Sequence, residues 1–512
     1  MELSEDQEST MRSSQKSYGH NSARESDLVP IDELVLRATG LFAKHYRLAM
    51  IAAHDDGDAL RVVYVFLAGP PDHRVELQVR LDQEHPSVPS LSHLSFSASR
   101  FERENRDLFG IEPLGHPFLR RLVLHQHWPE DFHPMLNDAG EVPPMLVDAP
   151  PFPFVEVGGR EVYEIPVGPV HAGVIEPGHF RFSVVGETII KMKARLWFVH
   201  RGIERLFEGR EVDSGVEIAE RISGDSAVGH NLAYSLAIEE ACRITVPEEG
   251  LVLRAILLEL ERVYNHVSNI GDLCNDVGFG IAQSRALVLR ERLLRLNAEI
   301  TGHRLLRGAI RPGSTELLRL PGPMELDSIE NDFEDLIELA TSSSVVMERF
   351  RGTAVLSLED VAGIGVIGLV ARASGLADDA RLTHPFLRFD EPFEPVVEEG
   401  GDVLARFLLR VREVRTSLLL IRDLLERAPD LRVTSAIGSV RGGSGLGIVE
   451  GWRGGIVHRV EIDARGSITR CKVVDPSFLN WPALSVALKD TIVPDFPLVN
   501  KSFNLSYAGN DL

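Results

Sequence analysis

A proline- and glycine-rich stretch, residues 138–159, divides the sequence into two parts with different periodicity. Before it, residues 46–82 contain apolar runs separated by turn-forming residues, a pattern typical of strands. After it, from about residue 189, apolar groups recur at three- and four-residue intervals, as in amphipathic helices. We therefore predict an α+β fold made of a disordered tail (1–28), a small α+β domain (29–137), the linker (138–159) and a large, mainly α-helical domain with an N-terminal β portion (160–512).

The charge and the cysteines limit what the chain can bind. A net charge of −22, from 76 acidic and 54 basic side chains, disfavours nucleic acid and anionic lipid as partners. Cys242, Cys274 and Cys471 are too few and too far apart for a disulfide framework or a cysteine-rich cluster motif, and they fit a reducing cytoplasm. The longest apolar run, residues 361–371, is too short to span a bilayer. We expect a cytoplasmic chain that contacts a membrane only through partners.

Two stretches combine polar residues in patterns that indicate a site. RISGDSAVGH, residues 221–230, has the spacing of a metal site in which hydroxyls replace the ligands, since Ser223 and Ser226 stand three apart and His230 follows. GPVHAGVIEPGHFRF, residues 168–182, places His171, Glu176 and His179 among glycines and prolines, which can hold polar groups over a cavity. The alternative for the second stretch is a surface hairpin with scattered polar groups.

Longer motifs carry a resemblance to a known family. The segment ERENRDLFGIEPLGHPFLRRLVLHQHW, residues 102–128, resembles the small hydrophilic (30-kDa) subunit of respiratory complex I. Residues 160–512 resemble the quinone-site (49-kDa) subunit, whose fold also serves as the large subunit of nickel–iron hydrogenases. The matching segments are GPVHAG, GHFRF, HRGIE, RIS, AYSLAIEEA, ELERVYNH and DPS. A fusion of the two resembles the large subunit of energy-converting (group 4) hydrogenases of the formate hydrogenlyase type.

The resemblance implies where metal ligands would lie. Hydrogenases of this kind hold nickel and iron with two CxxC pairs, one after Arg-Ile and one after Asp-Pro. At the four matching positions this sequence has Ser223, Ser226, Ser477 and Asn480. Nickel and low-spin iron suit soft, anionic thiolates, whereas hydroxyl and amide oxygens are hard, neutral donors. We therefore expect no nickel–iron centre, and no hydrogen activation.

The resemblance also implies the other site residues. Glu176, Asp225, His230 and Arg453 are the predicted catalytic residues, and Glu204 matches a magnesium ligand of some hydrogenases. Four further residues are predicted to border the cavity: His171, His179, Arg221 and Asp475. The two hairpin histidines are the candidates for contact with a quinone, although the hairpin is two residues longer than in complex I relatives.

By the same resemblance, the chain is expected to be part of a membrane-bound oxidoreductase complex that couples electron transfer to ion translocation. The implied partners are an iron–sulfur small subunit, a ferredoxin-like subunit, and membrane subunits of the antiporter-like type and of the complex I H type. Their iron–sulfur clusters would supply electrons, and the family brings quinone- and NAD-linked chemistry at the level of the complex. We expect no covalently bound cofactor, and a peripheral position on the inner face of the plasma membrane. A catalytically silent scaffold and a quinone-reducing subunit are the alternatives.

Overall fold

The computed structural model of the chain describes residues 24–169, 175–389, 393–428, 430–435 and 442–512. Helices and sheets occur in both halves, which confirms the predicted α+β class. Within these ranges the strands are β1 Glu25–Leu28, β2 Arg47–Asp55, β3 Leu60–Ala68, β4 His73–Leu81, β5 Ser87–Pro89, β6 Glu112–Leu114, β7 Tyr163–Val167, β8 His179–Val185, β9 Thr188–Arg195, β10 Ile310–Arg311, β11 Ser314–Glu316, β12 Arg432–Thr434, β13 Gly443–Glu450, β14 Gly455–Ile462 and β15 Ile468–Val474.

The α-helices are α1 Leu34–Ala43, α2 Phe96–Phe109, α3 Ile203–Phe207, α4 Val212–Ala219, α5 Ala227–Cys242, α6 Glu248–Asp276, α7 Gly280–Thr301, α8 Pro323–Thr341, α9 Ser344–Phe350, α10 Leu358–Ile364, α11 Gly368–Arg372, α12 Ala380–Thr383, α13 Val403–Arg427, α14 Pro476–Ala487, α15 Phe496–Phe503 and α16 Tyr507–Asp511. Two short 3-10 helices cover Ile31–Glu33 and Val493–Asp495. In the parts of the chain that the structure describes, no helix has the length and apolar character needed to cross a bilayer.

The N-terminal part is built on a sheet of order β1-β4-β3-β2. Strands β2 and β3 are buried along nearly their whole length, as their apolar sequences require, and α2 packs against β2. Residues 25–28 form the edge strand β1, parallel to β4, so the prediction that they belong to a disordered tail was wrong. The reason is that backbone pairing along β4 holds a polar segment that has no apolar pattern of its own. Residues 1–23 lie outside the described part of the chain.

Residues 138–159 contain neither helix nor strand. The antiparallel sheet β7-β8-β9 follows, and helices dominate from α3 onward. The long helix α6 packs against both α7 and α13 and is buried over most of its length. Its apolar groups at three- and four-residue spacing account for both the helix and its central place.

The contact between α5 and the sheet β13-β14-β15 positions the site. Gly445 and Gly447 on β13 face α5, and a Cβ atom on Gly447 would lie 1.8 Å from the carbonyl oxygen of Ala233. Only glycine permits that approach of strand to helix. Helix α5 is buried on every side and carries small residues at this contact. This close packing holds the first turn of α5 near β15, the strand that precedes the C-terminal helices.

Candidate functional site

The candidate site lies where the start of α5 meets the junction of β15 and α14. Asp475 is the N-cap of α14, since its Oδ1 accepts the Ser477 backbone N–H at 2.7 Å, and Pro476 follows at the first helical position. The start of α5 is capped from a different helix. The Glu261 carboxylate on α6 accepts the backbone N–H groups of Val228 and Gly229 at 2.7 and 3.0 Å.

The serines at three of the predicted ligand positions are buried and hydrogen-bonded. The Ser223 hydroxyl lies 2.8 Å from Asp225 Oδ1 and 2.8 Å from the Ser506 hydroxyl. The Ser506 backbone N–H donates to Ser477 Oγ at 2.9 Å, so Ser506 joins the two predicted positions. Ser506 was not predicted from the sequence, because no motif surrounds it. Ser226 accepts a longer hydrogen bond, at 3.3 Å, from Arg453 Nη1.

Arg453 and Asp225 form the ion pair of the site. The guanidinium donates to both carboxylate oxygens, at 2.8 and 2.6 Å, and stacks 3.9 Å from the centre of the Trp452 ring. Burial alone would raise the pKa of Asp225, but Arg453 more than offsets it, and the net pKa of Asp225 lies below its usual value. Asp225 therefore stays ionised at neutral pH. The indole N–H of Trp452 donates to the Asp225 carbonyl at 2.8 Å, which fixes the backbone beneath the ion pair.

His230 lies between an acid and a second histidine. Its Nε2 is 3.0 Å from Asp475 Oδ2, and its Nδ1 is 3.0 Å from Nε2 of His458. Burial raises the pKa of Asp475, but His230 and Arg453 reverse the direction and leave it lowered. Burial, and then His230, holds the pKa of His458 well below its usual value. His458 was not predicted from the sequence, because a single histidine within a strand carries no signal.

Asn480, at the fourth predicted ligand position, bonds to the segment before α11. Its side chain pairs with the backbone of Ile367 in both directions, accepting the N–H at 3.0 Å and donating to the carbonyl at 3.0 Å. Gly368, the next residue, packs so closely on Arg453 that a Cβ there would lie 2.3 Å from the Arg453 carbonyl oxygen. Asn480 thus supports the backbone against which the Arg453 loop rests.

The residues predicted on the stretch 168–182 have different outcomes in the structure. Glu176 is exposed, accepts the Ala508 backbone N–H at 3.1 Å and lies within electrostatic reach of Arg453, so the structure brings it to the edge of the site. His179 lies on β8 against the Phe154 ring, 5.3 Å between centroids. His171 lies outside the described residues. Arg221 is exposed and donates to the Glu217 carbonyl at 2.7 Å, so its side chain takes no part in the serine network.

Glu204, the predicted magnesium ligand, is surrounded by cations. Its oxygens accept from Arg470 at 2.7 Å, Lys472 at 2.9 Å and the Val473 backbone N–H at 3.0 Å. Burial raises the pKa of Glu204, but Lys472 and Arg470 overcome it and lower the pKa to about 2. Two neighbouring cations repel a divalent ion and already occupy the oxygens, so this donor set does not fit magnesium.

Three family models match the chain. Residues 29–141 match the respiratory-chain NADH dehydrogenase 30 Kd subunit, residues 201–274 match nickel-dependent hydrogenase, and residues 276–440 match the respiratory-chain NADH dehydrogenase 49 Kd subunit. The chain is also similar to a solved structure of the membrane-bound sulfane sulfur reductase (MBS), an archaeal respiratory membrane complex. The TM-score is 0.63 at 26% identity, over 69% of this chain and 99% of the other.

Curated relatives agree with these matches over most of the chain. Formate hydrogenlyase subunit 5 of Escherichia coli (strain K12) is 31% identical over 85% of this chain and 79% of the relative. The fused C/D subunit of NADH-quinone oxidoreductase from Phocaeicola vulgatus is 29% identical over 68% of this chain and 72% of the relative. The chain therefore belongs to the family of complex I-like and hydrogenase-related oxidoreductase subunits that includes formate hydrogenlyase subunit 5 and the fused C/D subunits of NADH-quinone oxidoreductase.

Proposed function

We propose that the chain is the large subunit of a membrane-associated, complex I-like oxidoreductase complex that couples electron transfer to ion translocation and works without a nickel–iron centre. The family relationship supports the first part, since formate hydrogenlyase, NADH-quinone oxidoreductase and the archaeal respiratory complex are all redox systems. It does not favour a silent scaffold. The second part, the absence of a nickel–iron centre, is supported by the side chains at the four predicted ligand positions, which we call the corner positions.

The observation that carries the proposal is the set of side chains at Ser223, Ser226, Ser477 and Asn480. Each already makes a hydrogen bond within the protein, and none offers the anionic sulfur that nickel and low-spin iron prefer. The remaining thiols do not replace them. Cys471 is buried on β15, Cys274 is buried on α6, and Cys242 is half-buried at the end of α5. Burial raises the pKa of all three thiols, so all three stay protonated. The residues present do not fit a nickel–iron group.

The residues of the site divide between binding and proton handling. Arg453 holds Asp225 ionised at the edge nearest Glu176, and an acceptor at this edge would meet one guanidinium and two carboxylates. His230, with Asp475 behind it, exchanges protons as the acceptor is reduced. Quinone, the acceptor in the name of the C/D relatives, is the substrate class we assign.

We assign partners by the same family relationship. An iron–sulfur small subunit would deliver electrons to the site, and a ferredoxin-like subunit would deliver them to the small subunit. Membrane subunits of the antiporter-like type and of the complex I H type would move ions. The chain would sit peripherally on the inner face of the membrane, held by those subunits.

The test uses the complex purified intact from its native host. Metal content is measured by mass spectrometry, and turnover is measured with H₂ plus methyl viologen, with a short-chain ubiquinone, and with polysulfide. We expect no nickel, no H₂ oxidation, and quinone reduction that His230→Gln and Arg453→Lys abolish in an assembled complex. Arg80→Ala, an exposed arginine on β4 that pairs with Asp58, serves as the control and should keep full activity.

Each of the other possible results would contradict one part of the proposed function. Stoichiometric nickel together with H₂ turnover would overturn the metal-free site. Unchanged quinone reduction in both His230→Gln and Arg453→Lys would remove the site from the reaction. Reduction of polysulfide but not quinone would overturn the substrate class, and no turnover with any acceptor would favour the scaffold.

A further inference from the structure

Three buried side chains form a line that leads away from the serine network into the protein core. Asp475 Oδ2 lies 3.0 Å from Nε2 of His230, and Nδ1 of His230 lies 3.0 Å from Nε2 of His458. The exposed fractions of Asp475, His230 and His458 are 1%, 0% and 0%. His458 lies in the middle of β14, where the close packing of α5 on the sheet brings it against His230.

The number of protons in this line follows from its hydrogen bonds. Asp475 Oδ1 already accepts the Ser477 backbone N–H, and the Arg453 charge lies near, so Asp475 is an ionised acceptor. Two acceptors cannot face each other at 3.0 Å, so Nε2 of His230 carries a proton in every state. The contact between the two histidines likewise holds one proton, on His230 or on His458.

The pair formed by His230 and His458 therefore has two protonation states. When His230 is neutral, its Nδ1 is bare, and His458 must donate from Nε2. When His230 is an imidazolium, its Nδ1 donates, and His458 must present a bare Nε2 and carry its proton on Nδ1. Charging His230 thus requires His458 to change tautomer.

The neighbouring groups decide which of the two histidines carries the positive charge. His230 faces the Asp475 carboxylate, with Arg453 near that carboxylate and with the Glu261 carboxylate at the first turn of α5. The rings of His230 and Tyr234 lie near His458, with centroids 5.3 and 6.4 Å away, and its strand partners are Gly447 and Val473. Nδ1 of His458 has no hydrogen-bond partner among the described residues. Burial, and then His230, lowers the pKa of His458, so the positive charge is more stable on His230 beside Asp475.

We propose that His458 is a proton-relay residue for His230. A hydronium ion that reaches Nδ1 of His458 gives up its proton there and leaves as water. The Nε2–H bond of His458 breaks, and its proton forms the Nδ1–H bond of His230, which becomes an imidazolium against Asp475. One proton enters, and one crosses the 3.0 Å contact between the rings. The role of this relay in turnover rests on the proposed function, whereas the coupled change of tautomer does not.

The test is ¹⁵N NMR of the full chain labelled at histidine, titrated from pH 5 to 9, with signals assigned from His230→Gln and His458→Gln. We expect His458 to carry its proton on Nε2 at high pH and on Nδ1 at low pH, changing at the same pH as His230 becomes charged. His458→Leu removes the acceptor that the Nδ1–H of a charged His230 needs, since leucine has no polar side-chain atom. In that variant the charging of His230 should move by a pH unit or more to lower pH.

Tyr234→Phe is the matched control, since it alters a buried ring beside His458 and leaves the line intact. It should titrate as the unmodified chain does. If His458 keeps one tautomer while His230 becomes charged, the relay is excluded, and this outcome is observed in the unmodified chain. Unchanged titration of His230 in His458→Leu would exclude it as well. A coupled change of tautomer in a complex without redox turnover would keep the relay and reject the proposed function.

Discussion

Single polar side chains at the corner positions connect segments that a bound metal would otherwise join. Ser506 bridges Ser223 and Ser477, and so ties the loop before α5 to the start of α14. Asn480 ties α14 to the segment between α10 and α11. At this scale the hydrogen bonds of single side chains join the segments that meet at the site.

Asn480→Ala tests that structural role. The change leaves the N–H and the carbonyl of Ile367 buried without their partner, and each unsatisfied group costs about 1–3 kcal/mol. We expect the free energy of unfolding to fall by about 2–4 kcal/mol, measured by denaturant titration. Asn137→Ala removes an amide that donates one hydrogen bond to the Asp55 carbonyl at the surface, and should cost under about 1 kcal/mol. Equal losses in the two variants would contradict the role of Asn480.

At the scale of elements, the apolar patterns predicted the buried helices and strands, such as α6 and the strands β2 to β4. It could not predict β1, whose polar sequence is held by pairing with β4. The site was predictable where family motifs cover it, at Ser223, Asp225 and Arg453. His458 is 228 positions from His230, and Ser506 is 283 positions from Ser223, so only the fold reveals either contact.

Helix α2 contains a buried acid that makes stability depend on pH. Glu102 accepts the Ser90 hydroxyl and the Leu91 backbone N–H, both at 2.6 Å, and burial raises its pKa from 4.5 to about 7 in spite of them. Because the folded pKa is the higher one, the folded state binds the proton more tightly. The stabilisation is complete below pH 4.5 and is lost as pH rises through about 7.

Glu102→Gln removes this dependence, since an amide can keep both hydrogen bonds and does not titrate. Between pH 5 and 8 the unmodified chain should lose about 2–3 kcal/mol more stability than the variant, at about 1.4 kcal/mol per unit of pKa shift. Thermal unfolding across that range measures the difference. Parallel stability curves for the two proteins would show that Glu102 does not hold the proton.

At the scale of the whole molecule, the two parts on either side of the linker behave as one body. The rings of Phe101 and Phe478 stack across them with centroids 4.8 Å apart, and one hydrophobic cluster extends through both. Ion pairs are buried in the same contact. Lys472 bridges Glu104 and Glu204, and Arg459 on β14 pairs with Glu76 on β4 at 2.9 Å. The linker composition predicted a boundary, but it carried no information about this shared core.

Glu76→Ala tests whether that contact holds the molecule together. Arg459 would keep Glu461 but lose its other buried partner, and breaking a buried pair costs about 3–5 kcal/mol when no second partner remains. We expect a loss of about 2–4 kcal/mol in the free energy of unfolding, with one transition for both parts. Asp58→Ala breaks the exposed pair with Arg80 and should cost at most about 1 kcal/mol. If the parts unfold separately, or if Glu76→Ala costs no more than Asp58→Ala, the contact does not unite the two parts.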